Sequence, residues 1–222
     1  MIKLVQCWDD GVLDDIRLCD LFREKNAKAS FNLNMGLHGE QRGQPWRYKD
    51  CKDVQRLSRA ELTTVYADFT IANHSLTHAW PSRIALDDWK YEVTENRKQL
   101  QDLFQQPIHG FAYPFGDSTP ESQAVIQDNG HLYARTCANA TPCFPPEDPM
   151  LMPTDCHFAA PDFWERFENA KAANASVFYF WGHSFEMLDE TYWQAFSDKL
   201  DRLNANPETE WAELPELFTA EM

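Results

Sequence analysis

Apolar and polar positions along this chain repeat with two periods, near two and near 3.6, and the pattern switches between them repeatedly. Residues 2–8 form a short, mostly apolar run that stops at Asp9-Asp10-Gly11, as a buried parallel strand does when it ends at a loop. Over 13–25, Ile16, Cys19 and Phe22 recur at three-residue steps, which predicts a helix with one apolar face. Period two returns over 29–35, a second strand. Residues 58–66 read as a helix capped by Ser58, with Leu62, Val65 and Tyr66 facing inward. A third strand over 69–73 leads directly into His74-Ser75-Leu76-Thr77-His78.

The clearest helix covers 86–104, with Trp89, Val93, Arg97, Leu100 and Phe104 on one stripe and Pro107 beyond its end. Residues 108–113 predict a fourth strand ending at Pro114-Phe115-Gly116. Ser118 or Thr119 then caps a helix that opens at Pro120 and closes at Gly130. A fifth strand covers 131–137. The stretch 138–153 holds five prolines and reads as a long loop over a barrel mouth. A helix over 161–174, a strongly β-prone sixth strand over 176–181, a helix over 189–203 and a short strand at 211–214 complete the pattern. Strand–helix alternation implies parallel strands joined by right-handed crossovers. Six or seven such units point to an α/β fold, a single-domain distorted (β/α) barrel spanning 1–222 with six or seven parallel strands.

Composition supports a sizeable core: 43% of the 222 residues are hydrophobic, with eight Trp and fifteen Phe. Aromatic rings also line sugar-binding clefts, although core filling accounts for most of them. The formal net charge of −15 disfavours nucleic acid and anionic membrane surfaces as partners. No apolar run approaches the ~20 residues of a membrane span. The N-terminal apolar stretch is too short for a signal segment, and the six cysteines include no C-x-x-C pair. A cytoplasmic protein with reduced thiols is the expectation, and oligomeric state is not readable from these features.

The chemically capable residues follow the C-terminal ends of predicted strands: Asp9 and Asp10 after the first, His74 and His78 after the third, His183 after the sixth. A parallel barrel gathers those ends at one face. The four-residue spacing of His74 and His78 points two imidazoles the same way on a helical turn. Alone, such a pair is more often structural. Two His with one carboxylate, however, form a common catalytic set for zinc or a similar divalent ion. Adjacent aspartates repel unless something cationic sits beside them. A metal ligated by one of them would supply that charge, leaving the other as general base toward water that the metal acidifies. A lone His183 is usually a satisfied structural residue, but its position favours a general acid that protonates a leaving amine.

These residues resemble the motifs of the polysaccharide deacetylases with the NodB-homology domain. Cys7-Trp8-Asp9-Asp10-Gly11 is similar to that family's Thr-Phe-Asp-Asp-Gly, and His74-Ser75-Leu76-Thr77-His78 to its His-(Ser/Thr)-x-x-His. Ala112-Tyr113-Pro114-Phe115-Gly116 resembles Arg-x-Pro-Tyr-Gly, and Phe180-Trp181-Gly182-His183-Ser184 a late hydrophobic-His motif. The resemblance implies Asp9 as base, Asp10, His74 and His78 as metal ligands, and His183 as acid. It implies an oxyanion donor at the backbone amide of about Tyr113, beside Pro114, with Tyr113 and Trp181 as candidate sugar contacts. One divalent ion is implied, zinc first, with cobalt, nickel or iron as alternatives. The implied reaction is hydrolysis of the acetamide of an N-acetylated sugar.

Two departures stand out. Ala112 replaces the arginine that would pair with the base, and Arg135 is the candidate substitute. The family's aspartate–tryptophan segment behind the acid histidine has no clear match, and Asp155 or His157 are candidates there. The same fold also suits a small non-sugar amide or ring C–N bond as substrate. A carbohydrate-binding protein without activity would be expected to have lost some of the five key positions, and none is lost.

Overall fold

The computed structural model describes residues 1–219. Its strands are β1 (Ile2–Asp9), β2 (Ser30–Leu33), β3 (Trp46–Tyr48), β4 (Lys52–Val54), β5 (Thr70–Asn73), β6 (Gly110–Ala112), β7 (Tyr133–Asn139), β8 (Met152–Thr154), β9 (Cys156–His157), β10 (Val177–Gly182) and β11 (Thr209–Trp211). The α-helices are α1 (Asp14–Lys25), α2 (Arg59–Val65), α3 (Leu86–Phe104), α4 (Pro120–Asp128), α5 (Phe163–Ala172), α6 (Glu190–Asn204) and α7 (Glu216–Thr219). The main sheet runs β8-β7-β6-β5-β2-β1-β10-β9, with every neighbouring pair parallel. Asp155 alone separates β8 from β9, so the two ends of the sheet are halves of one kinked stave, which leaves the barrel nearly closed. Asp155 N donates to Tyr179 O across that seam at 2.8 Å. β11 pairs with the start of β1, below the stretch that pairs with β2.

Side-chain parity along the strands decides what faces the barrel axis. Val5 and Cys7 of β1, Tyr133 of β7, and Val177 and Tyr179 of β10 share an inner cluster. Leu4 and Trp8, with Phe178 and Phe180, point outward into the aromatic layer under the helices, where Trp8 contacts Phe22, Phe158 and Phe196. Asp9, Trp181 and His183 continue the inward parity at or just beyond the C-terminal ends of β1 and β10, and Arg135 continues it as the third residue of β7, level with the end of β6.

Several local expectations change. In α1 the buried residues are Asp15, Leu18, Cys19 and Phe22, while Ile16 is exposed, because the helix packs one position round from the expected stripe. α2 starts with a capping box in which Ser58 and Glu61 bond reciprocally, and Thr119 with Ser122 does the same for α4. The β3–β4 hairpin lies in a stretch where no periodicity announced it. Within the proline-rich segment, β7 extends to Asn139 and β8 begins at Met152, so the loop is shorter than 138–153. The last strand lies at Thr209–Trp211, ahead of its expected position. Among the described residues, no helix is long and apolar enough to cross a membrane.

Candidate active site

The barrel mouth holds a cavity of about 210 Å³ lined by Asp9, Asp10, His74, His78, Tyr113, Phe115, Arg135, Cys137, Trp181 and His183. Eight of the expected site residues therefore line one cavity, buried Pro114 sits between two of its wall residues, and Asp155 and His157 lie outside its lining.

Asp9 is buried, and both its carboxylate oxygens are engaged. Asn32 Nδ2 donates to Oδ1 at 2.6 Å, and Arg135 Nη2 donates to Oδ2. Arg135 is itself 1% exposed and lies over the Trp181 ring at 4.5 Å, so one face of that ring is already covered. Burial pushes the Asp9 carboxyl up, but Arg135, His74, His183 and the Asn32 bond outweigh it and hold it well below the usual carboxylate range. Asp10 differs: Arg56 reaches Oδ1 at 3.1 Å, and Oδ2 accepts no hydrogen bond from the described residues. The repulsion between adjacent aspartates is therefore balanced by two guanidiniums, one per carboxylate, and does not by itself require a metal.

His74 and His78 do not share a helical turn. Their segment is a tight loop in which Ser75 and His78 have φ of 62° and 59°, and the two rings meet at 4.7 Å. Positive φ at such residues costs about 1–3 kcal/mol each and persists only where the surroundings impose it. They do here: Asn73 Oδ1 accepts from Ser75 N, Asn34 Nδ2 donates to Ser75 O, and Glu92 of α3 accepts from Thr77 N and Oγ1. Asn96, also on α3, donates to Asn73 Oδ1 and Leu33 O. His74 Nδ1 bonds Ala112 O at 2.7 Å, which leaves Nε2 for the cavity. Burial lowers both imidazoles, His78 to about 4, so each presents the neutral form a metal needs. Donor atoms of Asp10, His74 and His78 lie within 4.8 Å of one another, and this set fits a divalent ion of the zinc class.

His183 Nε2 lies 3.9 Å from both Asp9 Oδ2 and Asp10 Oδ2. Its Nδ1 is 3.3 Å from Glu186 Oε2, at ion-pair distance but off the line of a hydrogen bond. His157 Nε2 meets the same oxygen at 2.7 Å. Burial alone would lower His183, but Glu186, Asp9 and Asp10 overcome it and raise it to about 9. Asp155, the other candidate behind His183, accepts from Cys143 Sγ and Tyr179 N instead. The Tyr113 amide is also committed, donating to Arg135 O at 3.0 Å within the β6–β7 ladder. It is not free as an oxyanion donor.

A profile of the polysaccharide deacetylase family matches residues 2–134, more than half of the chain. The chain belongs to the polysaccharide deacetylase family. No curated protein matches it by sequence. Among solved structures, the Xyl-CE4 domain of a multidomain xylanase from the hindgut metagenome of Trinervitermes trinervoides has a TM-score of 0.62 at 13% identity, covering 100% of this chain and 92% of that one. A family 4 acetyl xylan esterase from Clostridium thermocellum, in complex with a cobalt ion, has a TM-score of 0.59 at 16% identity, covering 99% and 92%. The Streptococcus pyogenes deacetylase PplD, in complex with acetate, has a TM-score of 0.51 at 15% identity and covers 60% of this chain; the match spans 55% of PplD's own length. At these identities the likeness is one of fold. The profile match ends before Arg135 and His183, so those two rest on geometry alone.

Sequence reasoning missed Asn32, Arg56 and Glu186. Asn32 had a signal, a polar residue inside an otherwise apolar strand. Glu186 had a weaker one, three residues beyond His183. Arg56 had none.

Proposed function

We propose that this polysaccharide deacetylase relative is a metal-dependent hydrolase that removes the N-acetyl group from an N-acetylated amino sugar or short oligosaccharide. The observation that carries the reading is the unequal treatment of the two aspartates. Asp9 is oriented by one hydrogen bond on each oxygen, from Asn32 and Arg135, and held ionised with lone pairs to spare, as a base must be, whereas Asp10 keeps one oxygen without a hydrogen bond from the described residues and groups with His74 and His78. Asp10, His74 and His78 would hold the ion, zinc first. When bound, a divalent ion acidifies water and polarises the acyl oxygen.

Asp9 takes the proton from the attacking water, and Arg135 keeps it charged and oriented for that role. As the C–N bond breaks, His183 gives its Nε2 proton to the leaving nitrogen, so acetate and a free amine depart. Glu186, backed by His157, keeps His183 protonated between turnovers. With Tyr113 N committed and Pro114 lacking an N–H, neither residue supplies a main-chain donor to the developing oxyanion.

A second reading, a small non-sugar amide, draws on the size of the cavity. Its ~210 Å³ lies below the roughly 300–1,000 Å³ of sites that enclose drug-sized ligands, so it admits the reacting group and little more. Acetate release from short N-acetylglucosamine oligomers, with bound metal measured in parallel, separates the two. The deacetylase reading expects about one ion per chain and acetate release. Asp9→Asn should keep the ion and lose activity, and His74→Ala should lose both. A metal-loaded chain that cleaves no acetylated sugar would move the small-amide reading ahead.

A further inference from the structure

Arg56 belongs to none of the motifs, yet it is the most closely engaged partner of Asp10. The loop between β4 and α2 runs antiparallel to the segment after Asp10: Val12 bridges Arg56, Leu13 N donates to Gln55 O at 2.9 Å, and Leu57 N donates to Gly11 O at 3.0 Å. This short ladder fixes the Arg56 backbone beside the end of β1. The guanidinium then grips Asp10 at two points, with Nη1 donating to the main-chain oxygen and Nη2 to Oδ1 at 3.1 Å. Both side chains are largely enclosed, at 17% and 11% exposure, and the Trp46 ring from the β3–β4 hairpin lies 5.4 Å from Arg56 Cζ.

Asp10 needs such a hold. Its φ is 85°, a conformation costly for any residue but glycine, and it persists only where neighbours impose it. A guanidinium bonded to both main chain and carboxylate fixes the backbone turn and the side-chain rotamer together, and it leaves Oδ2 as the unbonded oxygen. Lysine, a compact charge on a flexible stem without the rigid planar fork, holds the two acceptors less firmly.

We propose that Arg56 is a positioning residue for the metal ligand Asp10, held in place by the loop that follows β4 and its ladder with the segment after Asp10. The proposal rests on the metal centre at Asp10, His74 and His78. Its test is zinc affinity, read by competition with a chromogenic chelator on the full chain. Arg56→Met is expected to weaken zinc binding about 10–100-fold, the usual effect of removing a residue that orients a ligand, and Arg56→Lys to recover only part of it. Lys52→Met is the control, because Lys52 ties the same hairpin to Asp14 and Met187 O without touching Asp10. It should bind zinc as wild type does.

A folded Arg56→Met chain with wild-type zinc affinity overturns the proposal, as does an equal loss in Lys52→Met. If Arg56→Met does not fold, Arg56→Lys decides, and wild-type affinity in that variant overturns it. A wild-type chain that binds no zinc overturns the metal centre itself, an outcome visible before any variant is compared.

Discussion

Replacing Arg135 with methionine removes a buried cation while keeping a long apolar stem, and Asp9 loses the partner on its Oδ2. The two side chains are 1% and 3% exposed, so water cannot take over. Removing one partner of a buried ion pair costs about 3–5 kcal/mol, because the other charge is left uncompensated. Asn32 still donates to Oδ1 at 2.6 Å, and His74 and His183 still lie 4.0 and 3.9 Å away. The expected loss therefore sits near the low end, about 3 kcal/mol at pH 8.

The pH dependence sharpens this expectation. In the wild type the Asp9 carboxyl is held below its ordinary 3.8, so its contribution is present above that value and lost only as pH falls toward the lower folded one. In Arg135→Met, burial is opposed only by the weaker partners and pushes the carboxyl above its unfolded value, which reverses the sign. The variant then regains stability relative to wild type as pH falls from 8 to 5, by up to about 1.4 kcal/mol for each unit below its raised pKa. Urea denaturation in the presence of a chelator, at four pH values across that range, measures both effects. A loss under about 1 kcal/mol at pH 8, or one that does not change with pH, would refute the reasoning.

Two further expectations concern neighbouring groups. Asp15, fully buried, accepts from Tyr66 OH, Ser184 Oγ and Val12 N, and burial still pushes it up to about 7. Its folded form favours the proton, so stability from this group is complete below about 3.8 and declines as pH rises toward 7. Asp15→Asn should flatten the fall in unfolding free energy between pH 5 and 7, and identical slopes in variant and wild type would count against it. Glu186→Gln removes the charge beside His183 Nδ1, so the His183 value should drop from about 9. The alkaline limb of kcat should then move to lower pH, and a pH–rate profile with an unmoved limb would exclude Glu186 as the supporting carboxylate.

The fold class was legible because each buried strand is a short apolar run that ends where the chemistry begins. Trp8 before Asp9-Asp10 and Trp181 before Gly182-His183 mark two such ends, and parallel pairing brings them to one face. Less was legible where no period exists. The β3–β4 hairpin is three residues a side, too short to display alternation. The i,i+4 reading of His74 and His78 expected the two rings to meet on a helical turn; they do meet, at 4.7 Å, but not on a helix. They converge through left-handed turns, which Asn73, Asn34 and Glu92 stabilise from outside the motif.

By itself, the sequence determined the alternation of strand and helix, the barrel class and the five residues at the strand ends, since each of these depends on local pattern. Tertiary structure alone decided the partners. Asn32 and Arg135 meet Asp9, Arg56 meets Asp10, and Glu186 with His157 backs His183. Such pairings depend on which strands become neighbours, in what register, and on which face each side chain emerges. Arg135 reaches Asp9 from 126 residues away because β7 and β1 present the same parity toward a nearly closed barrel axis, and a contact across that axis leaves no periodic trace in either strand.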